Sequence, residues 1–126
     1  MGSPKIRDFT DLVAWQKSHA LVLTLYRVSG GFPKSEVFGL TSQMRRAAIS
    51  ITSNIAEGFG RRSSKDKQQF FFIALGSLYE LQSQLLACRD LGFLSMTPFK
   101  ELADLLFEAK RLLLGLVHST DKAAFY

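Results

Sequence analysis

The stretch "NIAEGFGRRSSKDKQQF" (residues 54–70) holds two glycines one residue apart, then paired arginines, then serines and lysines. It reads either as a loop that cradles phosphate or as the place where one helix stops and the next begins. A Walker-type loop needs G-x-x-x-x-G-K-[ST] after a buried strand. Here Gly58 and Gly60 stand only two apart, and the residues before them follow a helical pattern. The dinucleotide fingerprint G-x-G-x-x-G fails as well, because Ser63 occupies the third glycine's place and no βαβ unit surrounds it. A helix junction accounts for every residue. Gly58 or Gly60 is expected to take the left-handed conformation that ends the second helix. Ser63 or Ser64 then caps the third, Ser63 forming with Asp66 a capping box in which Asp replaces the usual Glu.

Downstream of that junction, Phe71, Ala74, Leu78, Leu81, Leu85 and Cys88 recur at steps of three and four, the seam of a helix over about 64–91. Phe70, Phe72, Ile73, Leu75, Leu86 and Ala87 cover most other directions of the same helix, and between Lys67 and Arg89 the only charge is Glu80. A helix apolar nearly all round has to be covered nearly all round. One four-helix unit covers a single face of each helix, so self-association is expected. Gln68, Gln69, Glu80, Gln82 and Gln84 interrupt the stretch, which resembles a membrane span only in length; no membrane contact is expected.

Helical spacing extends over the rest of the chain, and strand-like alternation is missing. A first helix is expected over about 10–29, capped by Thr10, with Leu12, Trp15, His19, Val22 or Leu23, and Tyr26 on its core face. A second is expected over about 35–57, with Val37, Leu40, Met44, Ala47, Ile51 and Ile55 as its stripe. A fourth is expected over about 98–118, with Thr97 as cap, Pro98 in the first turn and Leu102, Leu105 or Leu106, Ala109, Leu112 or Leu113, and Leu116 facing inward. The tail "STDKAAFY" (residues 119–126) is expected to fray. The short connection "LGFLSMT" (residues 91–97) makes helices three and four antiparallel. The fold class is therefore all-α: one domain, residues 1–126, of four helices.

The chain of 126 residues is 47% apolar and 21% charged, a balance that builds a core. Sixteen Lys and Arg against eleven Asp and Glu give a net charge of +5, which favours an acidic partner such as nucleic acid. Arg45, Arg46, Arg61, Arg62, Lys65 and Lys67 concentrate that charge against only Glu57 and Asp66. Basic residues at a helix start oppose the local dipole, so Arg61 and Arg62 add nothing to the third helix. A phosphate partner would use them together with the free N–H groups there. Arg61, Arg62, Lys65 and Lys67 are thus a candidate nucleic-acid site, with Arg45 as a further contact. The plainer alternative is a solvated loop with one arginine paired to Glu57 or Asp66. For Arg45 and Arg46, pairing with a carboxylate is the plainer expectation.

Catalytic groupings do not emerge. Glu57, Glu80, Glu101 and Glu108 each lack the histidine three residues later that di-iron bundles use. His19 and His118 read as packed or capping residues, and Cys88, the only cysteine, as a buried inert thiol. Glu80 is expected to pair with an arginine across an interface. No enzyme, cofactor or metal site is expected. "MGSPKIRDF" carries no apolar leader, so the cytoplasm is the default location.

The blocks "FTDLVAWQKS", "GLTSQMRRAAISITSNIAEGFGRRS", "ALGSLYELQSQL" and "LGFL" resemble the bacterial four-helix-bundle family known as 23S ribosomal RNA intervening-sequence proteins, over residues 8 to 118. The chain is also similar to the accessory proteins of diversity-generating retroelements. The resemblance implies an antiparallel up-and-down four-helix bundle that assembles into a ring-shaped homopentamer and engages nucleic acid, and a protein partner such as a reverse transcriptase. It places "RRAA" at Arg45–Ala48, "NIAEG" at Asn54–Gly58 and "GSLYEL" at Gly76–Leu81, so that Arg46, Asn54, Glu57 and Glu80 are expected to form a structural polar network. A non-catalytic oligomer that binds RNA or DNA through phosphates is the first functional expectation. A scaffold whose ligand is another polypeptide is the alternative.

Overall fold

The computed structural model describes residues 5–124, with four helices and no strand among them. These are α1 (Val13–Ser29), α2 (Leu40–Phe59), α3 (Ser64–Asp90) and α4 (Met96–Ala124). Single 3₁₀ turns precede α1 (Phe9–Asp11) and α2 (Lys34–Glu36). Each helix packs on its two neighbours in the cycle α1–α2–α3–α4, and neither α1 and α3 nor α2 and α4 come into contact among the described residues. The helices therefore stand at the corners of a square, around one core.

The interior of α3 follows the sequence pattern residue for residue. Phe71, Ala74, Leu78, Leu81, Leu85 and Cys88 are all buried. Burying each large member of that row stabilises the fold by about 1.5–3 kcal/mol before entropy is counted. Three contacts trace the α2–α3 seam. Met44 meets Cys88 near the start of α2, Ser50 meets Ser77 at mid-height, and Gly58 meets Phe71 near the end of α2. The opposite faces of α3 stay open, with Phe72 and Ile73 about half exposed. By length and composition alone, α3 would pass for a membrane-crossing helix.

In α1 the core face is rotated from the expected one. Ala14, Ser18, Leu21, Val22, Leu25 and Ser29 are buried, whereas Leu23 and Tyr26 face outward. His19 is half-buried and stacks on Trp15 at 4.6 Å instead of entering the core. Of the residues expected to face inward, Val22 is buried and Leu12 and Trp15 pack against the core from its edge. Thr10 does not cap α1. It sits within the 3₁₀ turn, its hydroxyl donating to the Asp8 carboxylate at 2.9 Å, and α1 begins three residues later.

The other boundaries shift for identifiable reasons. α2 starts at Leu40 and not near Ser35, because the chain first makes the 3₁₀ turn; the Glu36 carboxylate then accepts from the Leu40 N–H at 3.2 Å. Val37 falls outside the helix and is exposed. α4 starts one residue before Thr97, so Thr97 is not its cap, and it runs on through most of the tail expected to fray. Thr120 is buried, and Gln68 of α3 donates to the Asp121 carboxylate, so this extra turn has partners. Residues 125–126 of the tail lie outside the described residues.

Candidate nucleic-acid interface

The junction between α2 and α3 is a helix stop followed by a helix start, with neither glycine left-handed. Gly60 is right-handed, and the positive φ among the described residues belongs to Gly92 in the α3–α4 turn, at 80°. Gly58 has a different task. It is buried within the last turn of α2, where an added Cβ would fall 2.7 Å from a ring carbon of Phe71. Ser63 caps α3, its hydroxyl accepting from the Asp66 N–H at 3.1 Å.

Two of the four basic residues at the junction turn back towards α2. Lys67 Nζ donates to the Phe59 carbonyl at 2.7 Å and lies over the Phe59 ring. Arg61 pairs with Glu57 at 3.2 Å and lies over the Phe70 ring. A helix C-terminus leaves carbonyls without partners and carries the negative end of the dipole, so cations there are stabilising. The expected conflict with the α3 dipole is thereby avoided. Arg62 and Lys65 behave differently: both are exposed, with no hydrogen bond or ion pair among the described residues. Lys65 borders a shallow concavity with Gln68, Gln69, Phe72 and Ile73. Asp66, also exposed, is the opposing charge nearby.

Among the described residues Arg45 pairs with no carboxylate. Its Nε donates to Ser29 Oγ at 2.8 Å and a terminal nitrogen donates to the Tyr26 carbonyl at 3.1 Å, while the guanidinium covers the Tyr26 ring at 4.5 Å. It closes the end of α1 as Lys67 closes the end of α2. Arg46 is exposed and unpaired among the described residues.

The expected network of Arg46, Asn54, Glu57 and Glu80 does not form as one unit. Glu57 belongs to Arg61. Asn54 donates to the Ser50 carbonyl at 2.8 Å and to its hydroxyl at 3.0 Å, and Ser50 in turn meets Ser77 at 2.8 Å. Arg46 and Glu80 border one cleft between α2 and α3, but Glu80 accepts from Gln84 at 3.3 Å and, among the described residues, from no arginine. The serines are the members that sequence reasoning missed. Their signal is position: Ser50 and Ser77 each stand one residue before a buried member of the facing apolar rows, Ile51 and Leu78.

Cys88 has no surface access. Burial first, and the negative charge of Glu36 second, push its thiol up to about 11, and its Sγ lies 3.3 Å from Met44 Sδ. At neutral pH it is protonated and a poor nucleophile. No group of three or more His, Cys, Asp and Glu lies close enough to hold a metal among the described residues.

Residues 10–115 match the family described as 23S rRNA-intervening sequence protein. A crystal structure of a protein of unknown function from the S23 ribosomal protein family of Bacteroides thetaiotaomicron superposes with a TM-score of 0.77. It is 20% identical, and the similarity covers 84% of this chain and 96% of that one. At that identity the likeness concerns the fold alone. Comparison with curated proteins gave no match. On the family match, which spans most of its length, the chain belongs to the 23S rRNA-intervening sequence protein family.

Proposed function

We propose that this chain is a non-catalytic cytoplasmic protein whose copies assemble into a ring, and that the ring binds RNA or DNA through phosphates. Each subunit is an antiparallel up-and-down bundle. That arrangement is supported by contacts pairing the start of one helix with the end of its neighbour: Met44 with Cys88 in α2–α3, and Arg27 with Glu101 at 2.8 Å in α1–α4. Self-association is supported by the open apolar sides of α3 and α4, and the resemblance to pentameric relatives implies five copies.

The observation that carries nucleic-acid binding is the pair Arg62 and Lys65, exposed and unpaired beside the first turn of α3. The N–H groups of Asp66 and Lys67 are taken by Ser63, whereas those of Ser64 and Lys65 have no partner among the described residues. Phosphate is met there by two solvated cations and by the positive end of a helix. A single such site is weak, and repetition around an assembly multiplies it. Titrating RNA binding against salt is the test. The logarithm of affinity should fall linearly with the logarithm of salt concentration, with little dependence on base sequence. Affinity insensitive to salt contradicts the reading.

A protein-interaction scaffold is the second reading, favoured by the fully exposed Phe38 and by Phe107. Capture of one polypeptide that survives nuclease and high salt would favour it over nucleic-acid binding.

A further inference from the structure

A hollow of 630 Å³ opens where the α1–α2 connection meets the start of α2. Its apolar wall includes Tyr26, Phe32, Phe38 and Ile49. Phe38 is 97% exposed, so no described residue covers its ring, and the buried Phe32 anchors the same connection without it. Ligand sites in proteins have this size and are mostly apolar, with a few polar groups that fix orientation.

The polar part of the wall calls for an anion. It carries Lys34, Arg45 and Arg46; among the described residues none of them has an ion pair and no acid joins them. Glu36, the acid of the connection, stands outside the wall, and its carboxylate is occupied by the Leu40 N–H. Arg45 is held in place through Nε and one terminal nitrogen, which leaves the other terminal nitrogen without a partner among the described residues. Thr41 adds an independent signal. It lines the hollow, is only 5% exposed, and its Oγ1 is shut from solvent with no hydrogen-bond partner among the described residues. Thr52 and Thr120 each donate their hydroxyl to the carbonyl three residues earlier; Thr41 does not. A buried hydroxyl left unpaired costs stability, and a ligand oxygen seated against Thr41 would pair it.

We infer that this hollow binds a small organic anion, a carboxylate or phosphate monoester carrying a flat apolar body. Arg45 and Arg46 meet the charged group, Thr41 donates to it, and the body lies against Phe38 and Tyr26. The site is separate from the basic junction proposed to bind nucleic acid. The hollow lies at the start of α2 and the junction at its end, and a helix of 20 residues spans about 30 Å.

Titration of the full chain with four probes, followed by NMR at physiological salt, tests the assignment. The probes are 1-naphthaleneacetate, 1-naphthyl phosphate, the neutral 1-naphthaleneacetamide and inorganic phosphate. Both naphthyl anions should bind with a Kd of about 1 mM or tighter, and the amide and inorganic phosphate more weakly. The tighter of the two anions tells whether a carboxylate or a phosphate is the natural head group. Arg46 and Phe38 are exposed, so their variants should keep the wild-type circular dichroism. Arg46→Ala should weaken both anions about tenfold and leave the amide unchanged. Phe38→Ala should weaken the amide as well. Thr41→Val should weaken the anions while leaving the free protein at least as stable. An amide that binds as tightly as the anions, inorganic phosphate that matches them, or affinity indifferent to Arg46→Ala overturns the inference. So does the absence of saturable binding in the millimolar range. Displacement of the probes by RNA would give these cations to nucleic acid and overturn it too, whereas RNA binding at the junction stands or falls by its own salt titration.

Discussion

Gly58 and Phe71 touch so closely that a methyl group at position 58 would overlap the phenyl ring, with the hypothetical Cβ 2.7 Å from Cε1 and 2.9 Å from Cδ1. Phe71 is 4% exposed and backed by the core, so the ring has little room to withdraw. Alanine would gain up to about 1 kcal/mol of helix propensity. Overpacking of this kind costs about 1–3 kcal/mol. Gly58→Ala should therefore destabilise by about 1–2 kcal/mol in urea unfolding, whereas Gly76→Ala, where the space is open, should be neutral or stabilising.

Arg45 and Arg46 are neighbours in sequence with different roles. Arg45 makes two hydrogen bonds to the end of α1 and covers Tyr26, while Arg46 makes none among the described residues. Arg45→Ala should lower stability by about 1–2 kcal/mol by removing those two bonds. Arg46→Ala should stay within about 0.5 kcal/mol, as exposed substitutions do. Equal effects in thermal unfolding would show that the α1 closure is not an energetic contact.

The buried thiol of Cys88 links folding to pH. Its folded value is raised from 9.0 to about 11, so the folded state favours the protonated form. Stability from this group is fully present below pH 9 and disappears as pH rises through about 11. Unfolding curves at pH 8 and pH 10.5 should show the protein weaker at the higher pH, and a Cys88→Ala variant should lack that part of the difference. At pH 8 a thiol reagent should label the native protein only at the rate of opening; immediate labelling would contradict the burial.

The four junction cations divide into two pairs with separable effects. Neutralising Arg61 and Lys67 should lower stability, since they close α2, while that of Arg62 and Lys65 should leave unfolding unchanged. Only the second pair should weaken RNA binding strongly, and it should also flatten the salt dependence by about 0.7–0.9 for each phosphate no longer neutralised. Binding that follows Arg61 and Lys67 instead would move the interface to the end of α2.

The sequence made the inner row of α3 legible because that helix takes its neighbours on one continuous apolar seam, and a period of three and four then has only one solution. In α1 only part of the expected face holds, Leu12, Trp15 and Val22 lying in or against the core. Its large residues Leu23 and Tyr26 suggested an inward face but point outward, while Ala14, Ser18 and Ser29, small residues that carry little apolar signal, are buried beside Leu21, Val22 and Leu25. The junction was legible as a helix boundary. The division of its cations was not, because whether a lysine points back to a carbonyl or out to solvent depends on where the two helix ends meet in space. Gly58 was likewise read as a conformational requirement when its constraint is the ring of a residue on the next helix.

The central claim is that copies of this bundle join through apolar faces and present their cations together. Light scattering of the purified chain at two salt concentrations, with and without RNA, tests it most directly. The account predicts a mass several times that of one chain at both salt concentrations, rising on addition of RNA at low salt only. A single-chain mass at micromolar concentration, unchanged by RNA, would contradict it.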